Sequence, residues 1–166
     1  FPKGGSDLDV MRRAYKAMQP KLAAAWDMRE TTLPVKSPYE LLILASIVEK
    51  ETGLAADRPQ VAAVFVNRLR RGMLLQTDPS VIYGLGASFD GNLRKSDLLS
   101  DTPWNTYTRP GLPPTPIAMP GLASLQAAAK PPPSDMLYFV ARGDGSSEFS
   151  ATLDEHNSAV TKYQKR

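Results

Sequence analysis

Residues 41–48 read LLILASIV, an apolar run broken only by Ser46, and two carboxylates follow at once, Glu49 and Glu51. A helix this apolar has no face to give to solvent, so it has to lie at the centre of a core. In front of it, Ser37-Pro38-Tyr39-Glu40 reads as a capping box with proline at the first helical position. Gly53 is the expected C-terminal stop. Any fold for this chain must bury that helix and still find surroundings for the charges at its end.

Helical geometry separates the two carboxylates. At about 100° per residue, Glu49 shares a face with Leu42, Ala45 and Ser46, while Glu51 points roughly to the opposite side, over Leu44, Ile47 and Val48. Ala45 and Ser46 are small, so the spacing predicts room for a close approach beside Glu49. A carboxyl in a partly apolar groove has a raised pKa, because desolvation disfavours its charged form, and such a group serves as a general acid near neutral pH. From periodicity alone the alternative stays open that either glutamate is the solvated end of a helix.

The rest of the chain supplies a helix-dominated α+β frame. Met11, Tyr15, Met18, Leu22 and Trp26 recur at spacings of three and four, which predicts helix over residues 7–30, kinked or divided at Pro20. Asp57-Arg58-Pro59-Gln60 opens another helix with Val61, Val64, Phe65 and Leu69 inward, Arg68, Arg70 and Arg71 in its last turn, and Gly72 as its end. Thr77-Asp78-Pro79 reads as the cap of a short helix reaching Tyr83, followed by loop. Residues 102–121 are dense in proline and glycine, and a stiff loop of that length is a candidate functional element. A helix over 121–130, a hairpin from MLYFVA and EFSATL, and a final helix over 153–164 complete one domain without internal repeats.

Composition narrows the chemistry. The chain has 166 residues, 42% of them hydrophobic, enough for one real core. A net charge of +3, spread along the sequence, gives no clustered basic face for nucleic acid. With no cysteine there is no thiolate chemistry, and with one histidine there is no multi-histidine metal site, so neither metal nor cofactor is expected. No run approaches the roughly 20 apolar residues of a membrane span.

Three polar groups remain beside the glutamates. Gln76 and Thr77 are neutral donors and acceptors of the type that read sugar hydroxyls and amides. Asp78 is either a catalytic carboxylate or a helix cap, with the Asp-Pro pair favouring the cap. Asn105 and Tyr107, flanked by Trp104, suit carbohydrate, whose ring faces stack on aromatics and whose edges bond to amides. The same aromatics could equally pin the loop to the core. His156 in DEHNSA reads as a structural histidine.

The segments LILASIVEKETG, VAAVFVNRLRRGMLLQTDPSVIYG, NTYTRPGLPPTPIAMPG and the closing LYFVARGDG with its later HN stand in one order over almost the whole chain. In these the sequence resembles the MltG/YceG-like family of endolytic murein transglycosylases. It departs from the family's pattern at Trp104, where tyrosine is usual, and at Thr115, where glycine is common. The resemblance implies a lyase acting on peptidoglycan glycan strands without a cofactor. It also implies a catalytic domain in the periplasm, held to the bacterial inner membrane by an N-terminal anchor, which with a LysM-like region would lie outside this chain. Cell-wall synthases are the implied protein partners.

By position in the motif the catalytic residue would be Glu49. Gln76, Thr77, Asn105 and Tyr107 would contact substrate, with Glu51, Asn67, Arg68 and Asp78 supporting the site. On this reading Glu49 is expected on the floor of an open groove near Gln76 and Asn105. The competing expectation is a non-catalytic glycan-binding module that recruits cell-wall synthases.

Overall fold

The computed structural model describes residues 4–164. Helix α1 (Asp7–Asp27) runs unbroken through Pro20, so the expected division does not occur. Pro20 is exposed. The apolar run forms α2 (Pro38–Glu51), in which Leu41 and every residue from Ile43 to Val48 is buried. Ser37 caps it as expected by accepting from the Glu40 amide at 3.2 Å. The reciprocal half of the box is displaced by one residue: Glu40 accepts from the amide of Lys36 at 2.6 Å. Thr52 takes the C-cap position in extended conformation, ahead of Gly53.

Around α2 pack α1, α3 (Arg58–Arg70) and α6 (Leu122–Ala129). Helix α6 reads LASLQAAA, and its buried Ser124, Ala127, Ala128 and Ala129 are small enough to let α2 and α3 come close. Between α3 and α6 lie α4 (Asp78–Leu85), a 3-10 turn over Gly86–Ser88, a short α5 (Lys95–Leu99) and the proline-rich loop. The turn falls where only loop was expected, and α5 lies in a stretch for which no element was expected. They carry no buried residues, so no apolar pattern announced them.

Trp104 and Thr115, the two departures from the family's pattern, meet each other: the indole N–H donates to the threonine hydroxyl at 2.9 Å. Here the aromatic pins the loop. Gly84 of α4 has to lack a side chain at the same place, because a Cβ would stand 2.9 Å from Thr102 Oγ1 and 3.3 Å from the Trp104 Cβ.

Strands β1 (Tyr138–Ala141) and β2 (Ser147–Ser150) form an antiparallel hairpin in the register Phe139↔Phe149. A lone hairpin is marginal in water. This one is held edge-to-face by Phe65 of α3, 5.9 Å from Phe139, and is covered by α7 (Leu153–Tyr163).

Arg68 ties α3 to the segments that build the site. It stands in the last turn of α3 as expected, but it is buried, 8% exposed. Nε donates to the Leu137 carbonyl at 2.7 Å, and Nη1 donates to the carbonyls of Leu74 and Leu75, each at 3.1 Å. A planar fork with fixed donors suits carbonyls on two separate segments in a way an ammonium cannot. Asn67 beside it donates to the carbonyls of Ser134 and Met136, at 2.8 and 3.0 Å, fixing the approach to β1. Arg68→Lys is expected to lower stability in urea unfolding by roughly 2–3 kcal/mol, since hydrogen bonds from a charged donor are lost and carbonyls are left unpaired. An unchanged midpoint would show that these carbonyls do not need the fork.

Candidate active site

The last turn of α2 sends its two carboxylates into different surroundings, as helical geometry requires, but the assignment of those surroundings reverses the expectation. The space beside Ala45 and Ser46 is not open. Both are fully buried, and the Ile117 amide of the proline-rich loop donates to Ser46 Oγ at 3.0 Å. The small residues admit the chain's own backbone. Glu49, half-buried, then meets the start of α6: its Oε2 accepts from the Gly121 amide at 3.0 Å and from Ser124 Oγ at 2.6 Å. A carboxylate at a helix N-terminus is stabilised in its charged form. The bond from Ser124, then that from Gly121, hold its pKa below the ordinary carboxylate value. The charged form of Glu49 is thus the favoured one, and Glu49 is not among the residues that line the cleft with Gln76.

Glu51 has the properties expected of Glu49. It lines a cleft of about 550 Å³ together with Arg68, Gln76, Asp78, Tyr107 and His156, with Phe139 and Val140 of the hairpin as an apolar wall. Ile47 and Val48, four and three residues before it on α2, are fully buried. Burial, aided by the charge of Asp78 and opposed by Thr77 and Arg68, pushes its pKa up to about 7. Thr77 Oγ1 donates to Glu51 Oε1, and Oε2 has no protein partner among the described residues. One oxygen is therefore fixed and the other is left for the cleft.

Thr77 is 1% exposed, so it positions the carboxyl and does not reach a ligand. It occupies the N-cap position of α4, yet its hydroxyl serves Glu51 in place of the helix. Its backbone is fixed by Thr106 Oγ1, which accepts from the Thr77 amide at 3.0 Å and shares a 2.9 Å hydrogen bond with Ser80 Oγ. Thr106 stands in the polar stretch Asn105-Thr106-Tyr107, where nothing in the sequence pairs it with Thr77.

Asn105 cannot contact substrate either. It is fully buried, its Nδ2 donates to the carbonyls of Asp97, Leu98 and Ser100, and its Oδ1 accepts from the Tyr107 amide at 2.8 Å. It folds the loop so that Tyr107 enters the cleft. There the Tyr107 hydroxyl donates to Asp78 Oδ1 at 2.5 Å. Asp78 is the first residue of α4 and not its cap. Burial and the bond to Asp78 push the Tyr107 pKa up, keeping the phenol protonated.

Gln76 is exposed at the cleft, and its Oε1 accepts from Arg68 Nη1 at 3.2 Å. Asn67 holds the approach to β1 and supports the site only from a distance. His156 is stacked on Tyr138 with ring centres 5.2 Å apart, and Arg68 lies 5.1 Å from the centre of the same ring. Burial and the neighbouring Arg68 lower the pKa of His156. Its place in the cleft wall had no signal in a sequence where it stands alone.

A half-buried acid with one free oxygen, over an apolar wall and beside neutral donors, can protonate a leaving oxygen and afterwards accept a proton. Known proteins carry the same combination of segments. A protein of Bacillus subtilis (strain 168) named endolytic murein transglycosylase is 48% identical over 127 residues, 76% of this chain and 35% of that protein. A protein of the same name from Streptococcus pneumoniae serotype 2 (strain D39 / NCTC 7466) is 35% identical over 129 residues, 75% of this chain and 23% of that one. The chain therefore spans well under half the length of these relatives. The crystal structure of a yceG-like protein from Listeria monocytogenes superposes with a TM-score of 0.67 at 46% identity, over 74% of this chain and 39% of that one. The family model described as YceG-like matches residues 1–162, nearly the whole sequence, and the chain belongs to that family.

Proposed function

We propose that this chain is the catalytic unit of an endolytic murein transglycosylase and that Glu51 is its acid and base. The observation that carries the reading is a carboxyl in the cleft wall with a pKa near neutrality, one oxygen held by Thr77 and the other free. The names of the relatives supply the substrate class, peptidoglycan glycan strands. Endolytic attack, a part in ending nascent strands and cooperation with cell-wall synthases belong to the same proposal. So does work on the periplasmic side of the bacterial inner membrane, where an anchor outside this chain would hold the domain.

The chemistry needs one protein carboxyl. Protonated Glu51 gives its proton to the β-1,4 glycosidic oxygen as the bond from muramoyl C1 breaks. The resulting carboxylate takes the proton of the muramoyl C6 hydroxyl, whose oxygen bonds to C1 and closes a 1,6-anhydro ring. No water is consumed, and Glu51 ends protonated as it began. A hydrolase would need a second carboxyl to activate water or to attack. Asp78 is the other carboxyl of the cleft among the described residues, and its Oδ1 accepts from the Tyr107 hydroxyl. Glu49, bonded to Gly121 and Ser124, ties the end of α2 to the start of α6.

Glu51→Gln is expected to lower cleavage of purified glycan strands by about 1000-fold, within the range for loss of a positioned general acid. Glu49→Gln is expected to retain activity within about tenfold, because a single amide oxygen can accept from both partners of Oε2. Product masses read by mass spectrometry should be one water lighter than hydrolytic ends. Loss of activity in Glu49→Gln with Glu51→Gln still active would overturn the assignment, and hydrolytic ends alone would overturn the transglycosylase reading.

Two pH dependences follow from the raised pKa. Cleavage starts from protonated Glu51, so kcat/KM should fall as pH rises above about 7, whereas a flat profile up to pH about 9 would contradict a general acid of this kind. Stability has the same sign. Between the unfolded value of 4.5 and about 7 the folded state binds more protons, so stability is lost as pH rises through that window. Glu51→Gln should therefore raise Tm, by an amount that grows from pH 4.5 to about 7 and then levels off. A gain that is constant with pH would place the cause elsewhere.

A further inference from the structure

Gln76 has φ 53 and is the one non-glycine residue among those described with positive φ. A side chain there costs strain that glycine would avoid, and such strain collects where the side chain has a task. The surroundings hold it on both sides. The Gln76 amide N–H donates to the Thr106 carbonyl at 3.1 Å, and the side-chain Oε1 accepts from Arg68 Nη1 at 3.2 Å.

The second contact fixes a polarity. Arginine has donors only, so the amide of Gln76 must turn its oxygen toward Arg68 and its NH2 away. That NH2 has no acceptor among the described residues. Gln76 is exposed and lines the cleft with Glu51 and Tyr107. The fold therefore presents a donor, locked in orientation, within the same cleft as the acid.

We propose that Gln76 reads the N-acetyl groups of the glycan, with its side-chain N–H donating to their carbonyl oxygen. The inference rests on the transglycosylase reading and adds the group that sets specificity. Sugar hydroxyls both donate and accept, so a locked donor does not discriminate among them. The acetamido carbonyl only accepts. Without its acetyl group the same position carries an ammonium, which only donates and faces the Gln76 N–H unfavourably. The cleft is thus built for acetylated strands, and one residue sets the sign of the preference.

The test compares peptide-free glycan strands with the same strands chemically de-N-acetylated, as the ratio of kcat/KM on the two within each protein. Taking the ratio cancels changes in stability or in the proton held by Glu51. The unmodified chain should prefer acetylated strands by about three- to tenfold, the range of one net hydrogen bond. Gln76→Met should bring the ratio toward one. Gln76→Glu keeps an acceptor for Arg68 but turns an acceptor outward, and should reverse the preference. The same unmodified ratio in both variants overturns the inference and leaves the transglycosylase reading standing. Binding of the two strands to Glu51→Gln, with and without Gln76→Glu, makes the comparison without chemistry. A reversed order of affinity there supports the role of Gln76 even if the chain cuts neither strand, an outcome that would count against the enzymatic reading alone.

Discussion

The Arg68 guanidinium satisfies carbonyls on two segments far apart in sequence, Leu74 and Leu75 on one and Leu137 on the other, and the cleft is the space those segments enclose. Burying a guanidinium is unfavourable unless its donors are used. Here both the Nε and Nη1 donors are, and Tyr138 covers the group at 5.1 Å. The same arginine sets the orientation of Gln76 and opposes the desolvation of Glu51. One buried cation thus couples the helical core to the hairpin, and it tempers a Glu51 pKa that burial chiefly raises.

The two glutamates of α2 show how neighbouring residues of one type come to differ. Ala45 and Ser46 leave room, and the chain fills that room with its own loop, so Glu49 becomes a link between helices with a lowered pKa. Ile47 and Val48 leave none, and the carboxyl above them loses water without gaining a full set of hydrogen bonds. Small neighbours on a buried helix invite close packing at least as readily as they invite a ligand.

Much of the frame was legible because it rests on periodicity and capping. The buried α2, the start of α3 and its end near Gly72, the hairpin and the last helix all follow from local rules. The cleft depended on contacts that no local rule reports. Thr77 looked like a sugar reader and serves Glu51. Asn105 looked like a sugar reader and is spent on three carbonyls of α5 and its C-cap. Arg68 looked like a helix-end charge and is buried. In each case the residue type was noticed correctly, but the partner was chosen by the fold, as with Thr77 and Glu51, 26 residues apart, where spacing carries no information. Trp104 and Thr115 make the same point in reverse, since two departures from a family pattern eleven positions apart answer each other by one hydrogen bond.

The account depends on Glu51 being a weak acid held at a cost to the fold. The most direct measurement is a titration of its carboxyl carbon by NMR in the folded protein, assigned through the Glu51→Gln and Glu49→Gln spectra. The account predicts that Glu51 titrates near 7 and Glu49 below 4.5. A Glu51 that titrates at or below 4.5, with the neutral-range titration found instead at Glu49, would contradict it.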